Sequence, residues 1–132
     1  MYFIADSYFQ ETFNKINVRD EALTCKVFEE CHFDHCSFIN CHMEKDKFIK
    51  CRFESCIMSA VVPLNSRFQE TRFFRSKLMG IDWTRTAELS EPEFRESQLN
   101  FSNFKLLKIP GIKICNCEAK EVDFVEADLS KG

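Results

Sequence analysis

The sequence contains little glycine and proline, the two residues on which most tight turns depend. It has 3 Gly and 3 Pro in 132 residues, and a fold rich in ordinary turns would normally contain more of both. No apolar run approaches the about 20 residues that cross a bilayer, so we expect no membrane insertion. The net charge of −3 lacks the basic excess of most nucleic-acid-binding domains, so we expect no nucleic-acid partner.

Phenylalanine is abundant instead, and it recurs every five residues. The chain has 15 Phe and is 45% hydrophobic. Every fifth residue from Phe3 to Trp83 is apolar or proline, and the same spacing resumes one residue late from Phe94 to Leu129. Chance is a poor explanation for so long a series. The pattern therefore indicates an internal repeat, in which we call each of these positions a centre.

A second set of positions lies two residues before each centre, and we call these the inward slots. From Cys31 onwards the slots hold mostly small residues, among them Cys, Ser, Thr and Val. Nearer the N-terminus they hold the charged residues Asp6, Glu11, Glu21 and Lys26. We therefore expect an irregular N-terminal coil or cap over residues 1–27, and regular repeats over 28–83 and 94–132.

A five-residue period fits neither a helix nor a straight strand. Five residues turn an α-helix by about 500°, so successive Phe side chains would drift around its axis. In a strand, side chains an odd number of residues apart point to opposite faces. A chain that turns a corner every five residues keeps both the centre and its slot on the inside. The pattern therefore predicts a solenoid whose neighbouring coils supply one another's core.

The repeat resembles that of the pentapeptide-repeat proteins, in which a small residue and Asn or Asp precede Leu or Phe. Ala127-Asp128-Leu129-Ser130-Lys131 matches this pattern in full, and Cys31-His32-Phe33-Asp34-His35 matches it at the two inward positions. The resemblance implies an all-β fold, a right-handed quadrilateral parallel β-helix with four repeats per coil. The chain length predicts a single solenoid domain over residues 1–132, with about six coils. In a departure from the known relatives, no capping helix follows the last repeat, so we expect an uncapped C-terminus.

Four repeats per coil place equivalent centres in vertical columns, one coil above the next. Coils spaced like strands, about 4.8 Å apart, suit offset stacked rings. One column is then expected to run through Phe13, Phe33, Phe53, Phe73 and Phe94. Trp83 is interpreted as a core or cap residue. The predicted core phenylalanines are Phe33, Phe38, Phe48, Phe53, Phe68, Phe73, Phe94, Phe104 and Phe124.

The 8 cysteines favour a structural role. Most of them lie in inward slots, where a thiol serves as a small apolar group in a reducing compartment. This and the absence of a signal-peptide pattern at the start of the chain favour a cytoplasmic location. Two alternatives are a zinc site, against which the C-x₄-C spacing argues, and a Cys115–Cys117 redox pair. His32, His35 and His42 fall at outward or corner positions, and we expect no metal and no cofactor.

Residues 84–93 interrupt the repeat and carry the candidate binding residues. The segment adds one residue to the period, and insertions in solenoids often map to the binding face. It is interpreted either as a partner-binding loop or as a bulge that corrects the stacking. Pro63 occupies a centre without shifting the phase, which indicates a local distortion. The candidate partner-binding residues are Arg85, Glu88, Glu91 and Glu93.

These features favour a non-enzymatic protein-binding scaffold of unknown partner. No Ser/His/acid arrangement and no glycine-rich phosphate loop is present in the sequence. The resemblance implies an alternative, a DNA-mimicking modulator of DNA gyrase that protects it from quinolones or toxins. The equal numbers of acidic and basic side chains in residues 28–83 argue against it. Further alternatives are a secreted effector or a truncated protein, and a homodimer formed through the open C-terminal end.

Overall fold

The computed structural model describes residues 2–129 as a series of three-residue strands joined by tight corners. Alternation within a three-residue strand points the central side chain inward and its two neighbours outward, which is the burial pattern of most strands. In chain order the strands are β1 (Ser7–Phe9), β2 (Thr12–Asn14), β3 (Asn17–Arg19), β4 (Ala22–Thr24), β5 (Val27–Glu29), β6 (His32–Asp34), β7 (Ser37–Ile39), β8 (His42–Glu44), β9 (Lys47–Ile49), β10 (Arg52–Glu54), β11 (Ile57–Ser59), β12 (Arg67–Gln69), β13 (Arg72–Phe74), β14 (Lys77–Met79), β15 (Glu88–Ser90), β16 (Glu93–Arg95) and β17 (Lys113–Cys115).

Each strand pairs in parallel with the strand one coil away, so the chain forms a square tube with four faces. The first face is β1-β5-β9-β12-β15, the third is β3-β7-β11-β14, and the fourth is β4-β8. The second face, β2-β6-β10-β13-β16-β17, has six strands, so the chain makes five full turns between the first and the last. Register places centre on centre, as in Phe33 opposite Phe53. The structure confirms the predicted all-β quadrilateral parallel β-helix.

The centres fill the tube with stacked rings. Phe33 and Phe53 lie 4.5 Å apart between ring centroids, Phe53 and Phe73 lie 5.0 Å apart, and Phe73 and Phe94 lie 5.2 Å apart. These pairs are close to parallel, an arrangement that aromatic rings favour when offset. All of the predicted core phenylalanines except Phe124, which is half-buried, are at most 1% exposed. The core is therefore one continuous column of side chains along the axis.

The corners explain why so few glycines suffice. Within residues 2–129, the second residue after nearly every centre has a positive φ, as in Lys45 at 55°, and only Gly80 and Gly111 meet this requirement with glycine. A left-handed backbone costs an L-residue about 1–2 kcal/mol. The cost is offset because the corner amide bonds to the next coil: the Lys45 N–H donates to the Leu64 carbonyl at 2.9 Å.

The inward slots hold hydrogen-bond donors. The Cys36 thiol contacts the Phe13 carbonyl at 3.4 Å, and the Ser66 hydroxyl donates to the Met43 carbonyl at 2.7 Å. Both side chains thus donate to the carbonyl of a centre in the preceding coil. Thr71, Cys51 and Cys117 do the same. Cys, Ser and Thr replace one another in these slots because each supplies a short donor, whereas Val61 and Ile81 fill their slots with apolar groups. The sequence pattern indicated the small size of the slot cysteines but not their role as donors.

The strands within residues 1–27 are regular, in contrast to the irregular coil expected there. β1 to β4 pair in register with β5 to β8, as regularly as strands farther along the chain. The charged slots Asp6 and Glu11 are exposed. Phe3 is 1% exposed and lies against the rings of Phe13 at 5.1 Å and Phe28 at 5.3 Å. It closes the N-terminal mouth of the tube.

The repeats after Phe94 keep the square cross-section with fewer ladder bonds. Between residues 96 and 129 only β17 is a full strand, and the other repeats pair through isolated bridges such as Asn103 with Asp123. The last predicted repeat, residues 127–131, lies partly outside the described residues. Within the described part, no helix has the length and apolar character required to span a membrane.

Candidate functional site

Three departures from the repeat gather where the fourth face meets the first. Asp46 occupies an inward slot, Pro63 occupies a centre of the fourth face, and the extra residue follows Trp83. We call this region the irregular corner and define it as residues 45–47, 63–67 and 83–88. The second face, by contrast, keeps its pairing through all six strands. The irregular corner is therefore the part of the tube whose outer surface differs most from a plain repeat.

The extra residue forms a small bulge rather than a projecting loop. Trp83–Arg85 makes a single 3-10 turn, which Asp82 caps by accepting a bond from the Thr84 N–H at 3.1 Å. The chain then re-enters the first face as β15, whose Leu89 is buried and lies opposite Phe68. The interruption is thus one residue between the centres Trp83 and Leu89. Leu89 lies five residues before Phe94, so the sequence itself marks it as the first centre of the resumed repeat.

Of the four candidate binding residues, two lie at the irregular corner. The Arg85 side chain is 59% exposed and its Nε lies 3.7 Å from an Asp82 carboxylate oxygen. Glu88 accepts bonds from Gln69 at 2.9 Å and from Arg67 at 3.1 Å. The bond from Gln69, with further bonds from Ser90 and Arg67, holds the pKa of Glu88 below its usual value. Glu88 is therefore a fixed carboxylate.

The structure places the other two candidates at the next corner, between the first and second faces. Glu93 lies within β16 and pairs with Arg95 at 2.6 Å. Glu91 is a corner residue whose Cγ lies so close to Gly111 that a Cβ there would come within 2.7 Å of it. A separate surface cavity of about 270 Å³ lies beside them. The four residues do not form one site.

Asp46 is a buried carboxyl in an inward slot, and the repeat pattern alone did not single it out. It is 0% exposed; its Oδ1 accepts a bond from the Lys26 N–H at 2.7 Å, and its N–H donates to the Ser66 hydroxyl at 3.1 Å. Its Oδ2 has no partner among the described residues. Burial raises the pKa of Asp46 to about 7. A small neutral side chain in this slot would avoid the cost of burying a carboxyl group.

A surface cavity opens beside Asp46. Its volume is about 340 Å³, and its lining residues are Lys45, Asp46, Lys47, Asn65, Arg67 and Ala87. Within residues 2–129, neither lysine forms an ion pair, and Arg67 pairs with Glu88. The mouth of this cavity is therefore positively charged.

The structure places the cysteines and the histidines of the zinc alternative on opposite sides of the tube wall. Cys31 and Cys36 point into the tube, whereas His32 and His35 lie on its outer side, where the His35 ring contacts Asp34 at 2.8 Å. Among the described residues, no group of three or more metal-ligating side chains comes together. Cys117 occupies an inward slot and contacts the Cys115 carbonyl, while Cys115 itself follows a centre on β17.

No protein-family model and no curated protein matches the sequence. Among solved structures, a pentapeptide repeat protein (Rfr23) from the cyanobacterium Cyanothece 51142 aligns over 94% of this chain and 91% of its own length, with 7% identity and a TM-score of 0.50. At that identity the likeness concerns the fold alone.

Two further structures align at lower scores. Full-length QnrB1, a plasmid-mediated fluoroquinolone resistance protein, aligns over 95% of this chain and 92% of its own length, with 13% identity and a TM-score of 0.32. HetL, a pentapeptide repeat protein involved in heterocyst differentiation regulation from Nostoc sp. strain PCC 7120, aligns over 95% and 92%, with 9% identity and a TM-score of 0.21. With a five-residue repeat in its sequence and a square parallel β-helix as its structure, the chain has the fold of the pentapeptide repeat protein Rfr23.

Proposed function

We propose that the protein is a non-catalytic scaffold that binds a protein partner through the irregular corner. The observation that carries the proposal is the gathering of Asp46, Pro63 and the extra residue after Trp83 at one edge of a regular tube. In repeat proteins, departures from the repeat lie on the surface and often on the binding face. The tube interior is filled by centre side chains, so the outer surface is what the fold offers to a partner.

The exposed side chains of the irregular corner suit a polar protein interface. Arg85, Arg67 and Lys47 project from three successive coils, and Glu88 adds a carboxylate beside Arg67. Arginine is enriched at protein interfaces because its planar group makes several directed bonds at once. The fixed backbone of the tube holds these groups in place before binding, which reduces the entropy lost on association.

Reversing charge at the irregular corner is expected to abolish partner capture. The variant is Arg85→Glu combined with Lys47→Glu, and the matched control is Arg19→Glu with Lys77→Glu on the third face. Immobilised full-length chains are incubated with cell extract, and bound proteins are quantified by mass spectrometry. We expect one or more proteins retained by wild type and control and lost by the corner variant. Loss on the control alone, or no protein enriched on wild type, would contradict the proposal.

The DNA-mimic alternative is less well supported by the charges. Duplex DNA carries about one charge per 1.7 Å, so a mimic needs a stripe of unpaired carboxylates. On the second face, Glu54 instead pairs with Arg75 at 2.6 Å and Glu93 with Arg95 at 2.6 Å. These pairs favour a mixed-charge scaffold surface. The secreted effector and the homodimer through the C-terminal end stay predictions.

A gyrase supercoiling titration tests the mimic directly. With the purified chain at micromolar concentration, with and without a fluoroquinolone, we expect neither inhibition of supercoiling nor rescue from the drug. Far-UV circular dichroism of the same sample verifies that the chain is folded. Inhibition or rescue by a folded sample would replace the scaffold proposal with the DNA-mimic function.

A further inference from the structure

We propose that the cavity at the irregular corner binds a small tetrahedral oxyanion, of the kind a phosphate group presents, through Lys45, Lys47 and Arg67. The inference goes beyond the scaffold function and does not rest on it, because the site is complete within one chain. It rests on the charge of the lining, on how three coils build the cavity, and on the buried carboxyl in its wall.

The lining carries positive charge that the chain leaves uncompensated. Lys45 and Lys47 form no ion pair within residues 2–129. Arg67 binds Glu88 through one guanidinium nitrogen at 3.1 Å, which leaves other N–H groups of the guanidinium for a ligand. Asn65 adds an uncharged amide group to the same lining. Cationic groups gathered around a concave surface raise the local concentration of anions. Lysine ammonium and arginine guanidinium groups both form short, charge-assisted bonds with phosphate oxygens.

Three successive coils place these groups together. Lys47 and Arg67 are register partners on β9 and β12, so their backbones lie one coil spacing apart, about 4.8 Å. Lys45 and Asn65 are the corner residues two positions before them, both with a positive φ. On the third coil the register partner of Arg67 is Glu88. Ala87, just before Glu88, adds only a small side chain to the lining. The repeat thus supplies the cations, and the small side chain of Ala87 leaves space for a ligand on the third coil.

The buried carboxyl of Asp46 supports the site independently of the charge of the lining. Its carboxyl is fully buried in the cavity wall with one oxygen unpartnered, in a slot where the next coil uses Ser66. The charged groups around it are Lys26 below, Glu44 in the same coil, and the three cations of the lining. A neutral Asp46 leaves the cavity more positive than an ionised one.

Anion binding is therefore coupled to the protonation of Asp46. Because burial raises the pKa of this carboxyl to about 7, it gains its proton as the pH falls through neutrality. The protonated form repels an anion less, so affinity rises as the pH falls, and by reciprocity a bound anion raises the pKa of Asp46 further.

The test is isothermal titration of the purified full-length chain with sodium sulfate at constant ionic strength. Sulfate is the probe because its own charge does not change over the range used, about pH 6 to about pH 8. We expect saturable binding at one site, about tenfold tighter at the lower pH than at the higher. The double variant Lys45→Gln, Lys47→Gln is expected to weaken binding at least about tenfold. The control variant Lys77→Gln, Lys105→Gln, with both lysines outside the cavity lining, is expected to bind as wild type does.

Asp46→Asn separates the carboxyl from the cations. This variant keeps the shape of the side chain without its titration, so we expect tight binding at both pH values. Parallel titrations with inorganic phosphate and with a nucleoside monophosphate distinguish a free anion from a phosphoryl group on a larger molecule, and either as the tighter ligand supports the site. If none of the three probes binds saturably, the proposal is overturned. Equal loss in the control variant overturns the placement, and a wild-type affinity that does not change with pH overturns the role of Asp46.

Discussion

Replacing Phe53 by alanine is expected to lower the free energy of unfolding by about 3–5 kcal/mol. Phe53 is fully buried on β10 and stacks between Phe33 at 4.5 Å and Phe73 at 5.0 Å. Alanine removes the ring and leaves a cavity, because strands fixed by ladder bonds on both sides cannot move inward to fill it. Urea denaturation followed by circular dichroism measures the loss.

The matched control is Phe101→Ala. Phe101 is a corner residue that is 55% exposed, so its removal deletes a ring of the same size without opening the core. We expect a change within about 0.5 kcal/mol, as for most surface substitutions. A Phe53→Ala variant that unfolds at the same urea concentration as this control would show that the second-face rings do not form a packed stack.

Replacing Asp46 by asparagine is expected to stabilise the protein at alkaline pH and to have little effect in acid. The folded-state pKa is raised from 3.8 to about 7, so the native state holds a proton that the unfolded chain releases. Stability therefore falls as the pH rises from about 4 to about 7, and the full cost is present above that range. A shift of this size corresponds to about 4 kcal/mol, which the asparagine variant avoids.

Urea denaturation of both chains at several pH values measures this difference. The two free energies of unfolding are expected to converge near pH 4 and to separate steadily toward pH 8, with Asp46→Asn the more stable. Asp46→Ser serves as a second variant, since Ser66 shows that a hydroxyl satisfies the equivalent slot. Parallel curves for wild type and Asp46→Asn at all pH values would mean that Asp46 does not titrate in the folded protein.

The fold was predictable because its determinant is local and is repeated many times. A centre every five residues, with a small residue two before it, excludes a helix and a straight strand and leaves a chain that turns a corner at each repeat. The ring columns on the second face follow from that period together with the four repeats per coil that the resemblance implies, and the structure stacks them in the expected register. The corners do not require glycine, since their N–H groups bond to carbonyls of the neighbouring coil and this offsets the cost of the left-handed backbone.

The candidate site was only partly predictable. The break after Trp83 was visible, but its size was overestimated because Leu89 was not recognised as a centre of the resumed phase. Arg85 and Glu88 belong to the irregular corner, whereas Glu91 and Glu93 belong to the next one, since a square coil turns once between them. Asp46 stood out only as one polar exception in a slot that tolerates several residue types.

The sequence by itself determined the repeat, the inward side of every coil and the position of the interruption, because these depend on neighbours within five residues. Only the tertiary structure decided which outward residues meet. Lys45, Asn65 and Ala87 belong to three successive coils, and they share one cavity because the ladder bonds stack those coils in register. The unpartnered oxygen of Asp46 likewise exists only where the coils above and below close over it.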